Sequence, residues 1–173
     1  IHIIGRYLSG IFDMGTIVLV FFIGKSFFKS RKIGLVSALF YSCSSLPIQI
    51  SHFFVVDNVT TFFSMLALLA AVKVYLSSLH LNQPKENSKG GVFSDWRGFG
   101  YYVLFAFALG MATASKINAA AAAILLPCAV FFANFQPSLK FTYIRWGQIA
   151  RNILIAGLLS IIVFRILQPY AFS

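Results

Sequence analysis

The stretch Ser51-His52-Phe53-Phe54-Val55-Val56-Asp57-Asn58 lies inside the longest apolar run of the chain, which covers residues 33–79. A transmembrane α-helix needs about 20 residues to cross the hydrocarbon core of a bilayer, which is roughly 30 Å thick. A run of this length must therefore turn, and the segment from Pro47 to Asn58 is where we place the turn. The stretch predicts two membrane spans that meet at one membrane surface.

Composition supports a membrane environment for the whole chain. Hydrophobic residues make up 59% of the 173 residues and charged residues only 10%, and the mean hydropathy is +0.84. These values lie outside the range of soluble domains. The net charge of +10 would also suit a nucleic-acid-binding protein, but the basic residues lie between apolar runs, which argues against that class. Cys43 and Cys128 lie inside apolar runs and indicate neither a disulfide framework nor a metal site.

The predicted fold is an all-α polytopic membrane helix bundle that occupies the chain from 1 to 173. A helix over residues 99–135 would be about 55 Å long at 1.5 Å per residue, too long for one crossing. We therefore expect a second turn at Ser115-Lys116-Ile117-Asn118, the strongly polar point of that run. About six spans result, at residues 7–28, 33–53, 58–79, 99–115, 118–135 and 149–170.

The basic residues predict the orientation of these spans. Of the 14 Lys and Arg residues, three (Arg6, Lys116 and Arg165) fall on one side of the predicted membrane. Cytoplasmic loops are enriched in Lys and Arg, so the other side is the predicted cytoplasmic side. The opening stretch is then extracytoplasmic. The residues on the cytoplasmic side are Lys25, Lys29, Arg31, Lys32, Lys73, Lys85, Lys89, Arg97, Lys140, Arg145 and Arg151.

Asp57 is the first candidate functional residue, because the chain has only four acidic residues and a carboxylate between two spans is costly. It either caps the N-terminus of the third span or faces a polar cavity with a function. His52 precedes Asp57 by five residues. The two side chains converge only if the chain turns between them.

Three basic residues on the extracytoplasmic side are further candidates. Lys116 is either an interfacial anchor or an anion ligand at the end of the fourth span. Arg165 lies about one turn inside the predicted boundary and is expected to face a polar cavity. Arg6 and Asp13 are seven residues apart and share a helix face. They either form a polar stripe, or Arg6 reaches the headgroups while Asp13 bonds a neighbouring helix.

Several segments together carry a family resemblance. Gly5-Arg6-Tyr7-Leu8-Ser9, the segment from Ser51 to Asp57, Gly110-Met111-Ala112-Thr113-Ala114-Ser115-Lys116 and residues 165–172 occur in this order. With them the chain resembles the GT-C superfamily of membrane glycosyltransferases, in particular the family 39 or protein O-mannosyltransferase and aminoarabinose-transferase type. The resemblance implies an inverting enzyme that moves a sugar from a polyprenyl-phosphate donor to an acceptor on the extracytoplasmic face, where the acceptor is a lipid, a glycan or a protein.

The resemblance also implies roles for the candidates. Asp57 would orient the acceptor or help to bind a divalent metal, with support from His52. Lys116, Arg6 and Arg165 would offset the charge of the carrier phosphate, which grows as the glycosidic bond breaks.

In this type of enzyme an acidic residue in the first extracytoplasmic loop acts as the catalytic base or as a metal ligand, and this loop would precede Ile1. We therefore expect the chain to be a fragment that is inactive by itself. The expected membrane is the plasma or inner membrane of a prokaryote or the endoplasmic reticulum of a eukaryote. Two other classes stay open from the residues alone: a transporter or flippase for an anionic lipid or solute, and a non-catalytic membrane subunit.

Overall fold

The computed structural model describes residues 2–44, 56–81, 96–134 and 146–169. The described residues form α-helices and one 3₁₀-helix and contain no strand, which confirms the all-α prediction. In chain order the elements are α1 (His2–Phe28), α2 (Arg31–Ser42), α3 (Val56–Leu81), α4 (Trp96–Ser115), the 3₁₀-helix (Ile117–Ile124), α5 (Leu125–Asn134) and α6 (Trp146–Leu167).

Five segments of the described chain are long and apolar enough to cross a membrane, and their bounds lie close to those predicted from the sequence. Large apolar side chains cover the outside of the bundle; Leu154 and Ile166, for example, are each 72% exposed. Such a surface is stable in contact with lipid rather than water. The protein is therefore an integral, multi-pass membrane protein. The five segments are Ile4–Phe28, Val56–Leu79, Gly98–Ser115, Ile117–Asn134 and Ile149–Leu167.

The predicted span 33–53 corresponds only in part to a described helix. Helix α2 has 12 residues, which gives it a length of about 18 Å, less than the thickness of the hydrocarbon core. Near its end, the Ser42 and Ser44 hydroxyl groups donate hydrogen bonds to the backbone carbonyl groups of Leu39 and Phe40. Residues 45–55 lie outside the described part of the chain, so a sixth crossing stays a prediction.

Helix α3 is the central element, since it packs against α1, α4 and α5. Phe12 contacts Phe62 edge to face, with ring centroids 5.3 Å apart, and Phe27 stacks on Tyr75 at 6.2 Å. Later residues of α1 therefore contact later residues of α3, so the two helices run parallel.

Helix α4 runs antiparallel to α3, since Lys116 after the end of α4 contacts Asp57 at the start of α3 and Phe107 contacts Phe63. Small residues line the contact between the two helices. The buried alanines of these two helices are at most 2% exposed. Because hydrocarbon gives no hydrophobic drive for helix association, close packing of small side chains supplies much of the attraction. The contact between α3 and α4 thus forms the core of the bundle. Its alanines are Ala67, Ala70, Ala71, Ala106, Ala108 and Ala112.

Two glycines set the close approach of the outer helices. A methyl group on Gly34 of α2 would lie 2.8 Å from the carbonyl oxygen of Phe21 on α1. A methyl group on Gly110 of α4 would lie 2.7 Å from Val163 Cβ and 2.9 Å from the carbonyl oxygen of Ser160 on α6. Both helix pairs are therefore in backbone contact, and neither glycine can be enlarged without moving a helix.

The chain turns at Lys116, where the length argument places the second turn. Lys116 has an extended backbone with φ −152° and ψ 117°, and its backbone N–H donates to the Ala112 carbonyl group at 2.9 Å. The 3₁₀-helix that follows has 8 residues, more than the three or four that are usual for this helix type. The turn places Lys116 at one end of the bundle.

Candidate functional site

The ends of four helices meet at one end of the bundle. Helices α1 and α3 begin there and run parallel. Helices α4 and α6 end there, because Gln168 after the end of α6 contacts Ala114 near the end of α4. We call this the polar end and define it by five residues that lie at these helix termini: Arg6, Asp57, Lys116, Arg165 and Gln168. Four of the five were predicted as site residues from the sequence.

An ion pair joins two of these residues. The Lys116 Nζ donates a hydrogen bond to Oδ1 of Asp57 at 2.8 Å. The side chains are 51% and 41% exposed, respectively. Exposed ion pairs contribute at most about 1 kcal/mol to stability. Both groups are thus accessible to a ligand. Replacing the contact between them by a contact with a ligand would cost little free energy.

A buried hydrogen bond beside this pair fixes the start of α3. The Nδ2 of Asn58 donates to the Ser9 hydroxyl at 2.5 Å and lies 3.4 Å from the Ser9 carbonyl oxygen. Asn58 is 6% exposed and Ser9 is 2% exposed. Since Asn58 directly follows Asp57, the bond also fixes the backbone that carries the Asp57 carboxylate.

Asp57 lies in the first turn of α3, which begins at Val56. A negative charge in the first turn is favourable because the N-terminus of a helix carries a partial positive charge. The Asp57 carboxylate also accepts the hydrogen bond from Lys116. The sequence left open whether Asp57 caps the N-terminus of the third span or faces a polar cavity with a function, and both interpretations stay predictions. The contact with Lys116 places the carboxylate at the polar end.

The end of α6 is tied to the same region. The Gln168 side-chain amide donates to the Ala114 carbonyl oxygen at 2.8 Å, two residues before Lys116. Arg165 lies exposed in the last turn of α6, three residues before Gln168. Sequence reasoning did not select Gln168; an amide directly before Pro169 at a span end was the available signal.

Asp13 follows the second of the two predicted alternatives, whereas the contact of Arg6 with the headgroups stays a prediction. Arg6 is exposed on the first turns of α1. Asp13 lies two turns deeper, and its Oδ1 accepts a hydrogen bond from the Tyr41 hydroxyl of α2 at 3.1 Å. Asp13 therefore bonds a neighbouring helix, and Arg6 is the member of the pair that lies at the polar end.

His52 lies outside the described residues, so its predicted place beside Asp57 stays a prediction. Within residues 2–44, 56–81, 96–134 and 146–169, no group of three or more His, Cys, Asp or Glu side chains could hold a metal ion. Asp57 is a single carboxylate paired with a lysine, which does not fit the several oxygen ligands that a divalent cation such as Mg²⁺ or Ca²⁺ takes. The described part of the polar end therefore does not fit a divalent-metal site.

Comparison with known proteins identifies the class. Residues 3–169 match the family described as dolichyl-phosphate-mannose-protein mannosyltransferase, which confirms the resemblance to membrane glycosyltransferases of the GT-C type. The chain belongs to this mannosyltransferase family, whose members use a polyprenyl-phosphate sugar as donor. Among curated proteins and solved structures, no match was found. The family favours an enzyme over a transporter or a non-catalytic subunit.

Proposed function

We propose that the protein transfers a sugar from a polyprenyl-phosphate donor to an acceptor at the extracytoplasmic face, with the donor phosphate bound at the polar end. The observation that carries this proposal is the contact of the Lys116 ammonium with the Asp57 carboxylate at 2.8 Å. Family membership supports the donor class, and the family's description makes mannose the first sugar to test.

The chemistry requires stabilisation of a departing phosphate. The acceptor hydroxyl oxygen attacks the anomeric carbon and loses its proton to a general base. The bond from that carbon to the phosphate oxygen breaks, and the polyprenyl phosphate leaves with the electron pair. Negative charge therefore grows on the phosphate during the reaction. Fixed cations near that phosphate lower the barrier because they stabilise the transition state more than the ground state. Lys116, Arg6 and Arg165 are the residues proposed for this role.

Asp57 would act on the acceptor. When the donor phosphate contacts Lys116, it competes for the ammonium group that Asp57 holds in the absence of ligand. The Asp57 carboxylate would then accept a hydrogen bond from the acceptor group and orient it toward the anomeric carbon. Orientation of a nucleophile can contribute several kcal/mol to catalysis. The pair thus couples donor binding to acceptor positioning.

The proposed side of the membrane rests on charge asymmetry. The polar end holds three of the basic residues, whereas the opposite end of the described bundle includes Lys29, Arg31, Lys32 and Arg151. Since cytoplasmic segments are enriched in Lys and Arg, the polar end would face away from the cytoplasm.

The decisive experiment measures transfer of radiolabelled mannose from polyprenyl-phosphate mannose in membranes that contain the full-length protein or its variants. We expect Lys116→Gln to lower kcat/KM by about 100-fold, the usual effect of removing one group that stabilises developing negative charge. Asp57→Asn should abolish transfer while the protein still inserts and folds. Arg151→Gln is the matched control, because it removes one charge at the opposite end and should leave transfer unchanged.

Near-normal transfer by Asp57→Asn and Lys116→Gln would contradict the proposal and leave the ion pair as a link between α3 and α4. Loss of transfer in Arg151→Gln as well would point to a general effect of charge on insertion. The amount of each variant in the membrane, measured by immunoblotting, separates that outcome from a catalytic defect.

A further inference from the structure

An apolar groove lies on the side of the bundle, away from the polar end. It has a volume of about 350 Å³ and lies between α1, α3 and α5. We call it the lateral groove. Its walls include Phe27, Leu68, Val72, Tyr75, Ala129 and Phe132.

The lateral groove ends near a concentrated positive charge. Phe27 lies in the wall and stacks on Tyr75 with ring centroids 6.2 Å apart. Lys29 follows two residues later, so its Cα atom lies within about 7 Å of that of Phe27. We call residues 25–32 the basic turn. This turn contains Lys25, Lys29, Arg31 and Lys32 and no acidic residue.

The backbone of the basic turn is unusual at Lys29. Its φ angle is 53°, in the left-handed region that glycine or asparagine adopts more readily than lysine. The Nζ of Lys25 lies 5.9 Å from the ring centroid of Phe21 and 6.0 Å from that of Phe22. The described acidic residues, Asp13 and Asp57, lie toward the other end of the bundle. The cations of the basic turn thus have no acidic neighbour within the turn.

We propose that the lateral groove and the basic turn together bind one anionic phospholipid. An acyl chain would lie in the groove between α3 and α5, and the headgroup phosphate would contact Lys29 and its basic neighbours. Hydrocarbon fills such a groove in any bilayer, so the groove by itself does not select a lipid. Basic residues at the membrane surface do select, because they attract anionic headgroups. The charge beside the groove is also the reason to favour a lipid over an apolar helix as its occupant.

The test is a titration of the protein in a neutral detergent with dioleoyl phosphatidylglycerol or dioleoyl phosphatidylcholine, followed by native mass spectrometry. Both lipids have the same acyl chains, so a difference in affinity reports the headgroup. We expect tighter binding of phosphatidylglycerol to the unmodified protein.

Lys29→Gly is the informative variant. Glycine adopts a φ of 53° without strain, so thermal stability without lipid should be retained or rise. Affinity for phosphatidylglycerol should fall about fivefold, the effect of removing one basic residue near an anionic headgroup. Affinity for phosphatidylcholine should not change. Arg151→Gln is the matched control and should leave both affinities unchanged, because α6 does not border the groove.

A second variant tests the groove itself. Ala129→Leu places a larger side chain in the groove wall, at a half-buried position of α5. It should weaken binding of both phospholipids while the difference between them persists.

Four outcomes would overturn the proposal. Equal affinities for the two phospholipids, or an unchanged phosphatidylglycerol affinity in Lys29→Gly, would show that the basic turn does not select the headgroup. A lipid-independent dimer that Ala129→Leu disrupts would make a second copy of the chain the occupant. Displacement of phosphatidylglycerol by polyprenyl phosphate, prevented by Ala129→Leu, would make the carrier lipid the occupant.

Discussion

The contact between Asp57 and Lys116 combines low energetic cost with a defined geometry. A pair whose side chains are 51% and 41% exposed is solvated on one side, so water and ligands compete with it. The buried bond from Asn58 to Ser9 is its opposite, since both residues are at most 6% exposed and lose a hydrogen-bond partner if either is removed. At the residue scale, an exposed ion pair that a ligand can replace thus lies beside a buried hydrogen bond that fixes the start of α3.

The ion pair should therefore matter to transfer more than to stability. We expect Asp57→Asn and Lys116→Gln to lower the thermal midpoint by no more than about 4 °C, because a half-exposed pair contributes at most about 1 kcal/mol. Circular dichroism of the detergent-solubilised protein checks this. A much larger drop in the thermal midpoint would show that the ion pair mainly stabilises the fold.

The hydrogen bond between Asn58 and Ser9 should matter to stability more than to transfer. Asn58→Ala and Ser9→Ala should each destabilise the protein by about 1 kcal/mol. Each substitution removes the hydrogen bond between α1 and α3 and leaves the other buried polar side chain without that bond. The double variant should lose little more than either single one. Thr60→Val is the matched control, since the Thr60 hydroxyl bonds only within its own helix, to Val56. Fully additive losses would show that the two side chains do not interact.

Helix contacts in this protein depend on the absence of side chains at a few positions. Gly34 and Gly110 bring backbone atoms of neighbouring helices together, and alanines line the contact between α3 and α4. In lipid, large apolar side chains gain little from leaving the bilayer, so small ones at the contact decide which helix faces meet. The packing of the helices is therefore sensitive to added side-chain volume at these positions.

Gly110→Ala tests this sensitivity. The added methyl group would lie 2.7 Å from Val163 Cβ and 2.9 Å from the Ser160 carbonyl oxygen, so α4 and α6 must separate. We expect a loss of about 1–3 kcal/mol, as for other overpacked sites. Val163→Ala should restore only part of it, because it removes the Cγ1 contact but keeps the Cβ atom, and the Ser160 oxygen belongs to the backbone.

Gly157→Ala is the control for this prediction, because nothing lies within 4 Å of a methyl group at that position of α6. It should be neutral or slightly stabilising, since alanine favours a helix more than glycine does. Thermal unfolding in one detergent compares the variants. Equal effects at Gly110 and Gly157 would mean that helix propensity, rather than contact between α4 and α6, determines the result.

At the scale of the whole molecule, the parallel and antiparallel helix contacts place the polar end and the basic turn at opposite ends of the bundle. This separation predicts that Lys116 and Lys29 lie on opposite sides of the membrane. A thiol reagent that does not cross membranes can detect it. For this experiment the protein carries Cys43→Ser and Cys128→Ser. Both native cysteines are exposed and would otherwise react with the reagent.

In that background, we expect Lys116→Cys to be labelled from outside intact cells or from the lumen of sealed vesicles. Lys29→Cys should be labelled only after the membrane is opened. Labelling of both from one side would contradict the helix arrangement. The reverse pattern would preserve the arrangement and contradict the proposed extracytoplasmic position of the polar end.

The sequence by itself determined the membrane class, the all-α architecture and the turn at Lys116. These features depend on local quantities, namely the length of apolar runs and the polar residues that interrupt them, and a helix of given length has few ways to fit a bilayer. The sequence also indicated candidate site residues, because charges are rare and costly in such a chain. They are Asp57, Lys116, Arg6 and Arg165.

Only the tertiary structure decided which of these residues meet. The contacts of Asp57 with Lys116, Asn58 with Ser9, and Asp13 with Tyr41 join distant parts of the chain, and hydropathy carries no information about partners. The 3₁₀-helix over Ile117–Ile124 is a further case, since its alanines favour an ordinary α-helix. Helix faces are selected by close packing of small residues across the bundle, and that selection exists only once the helices are assembled.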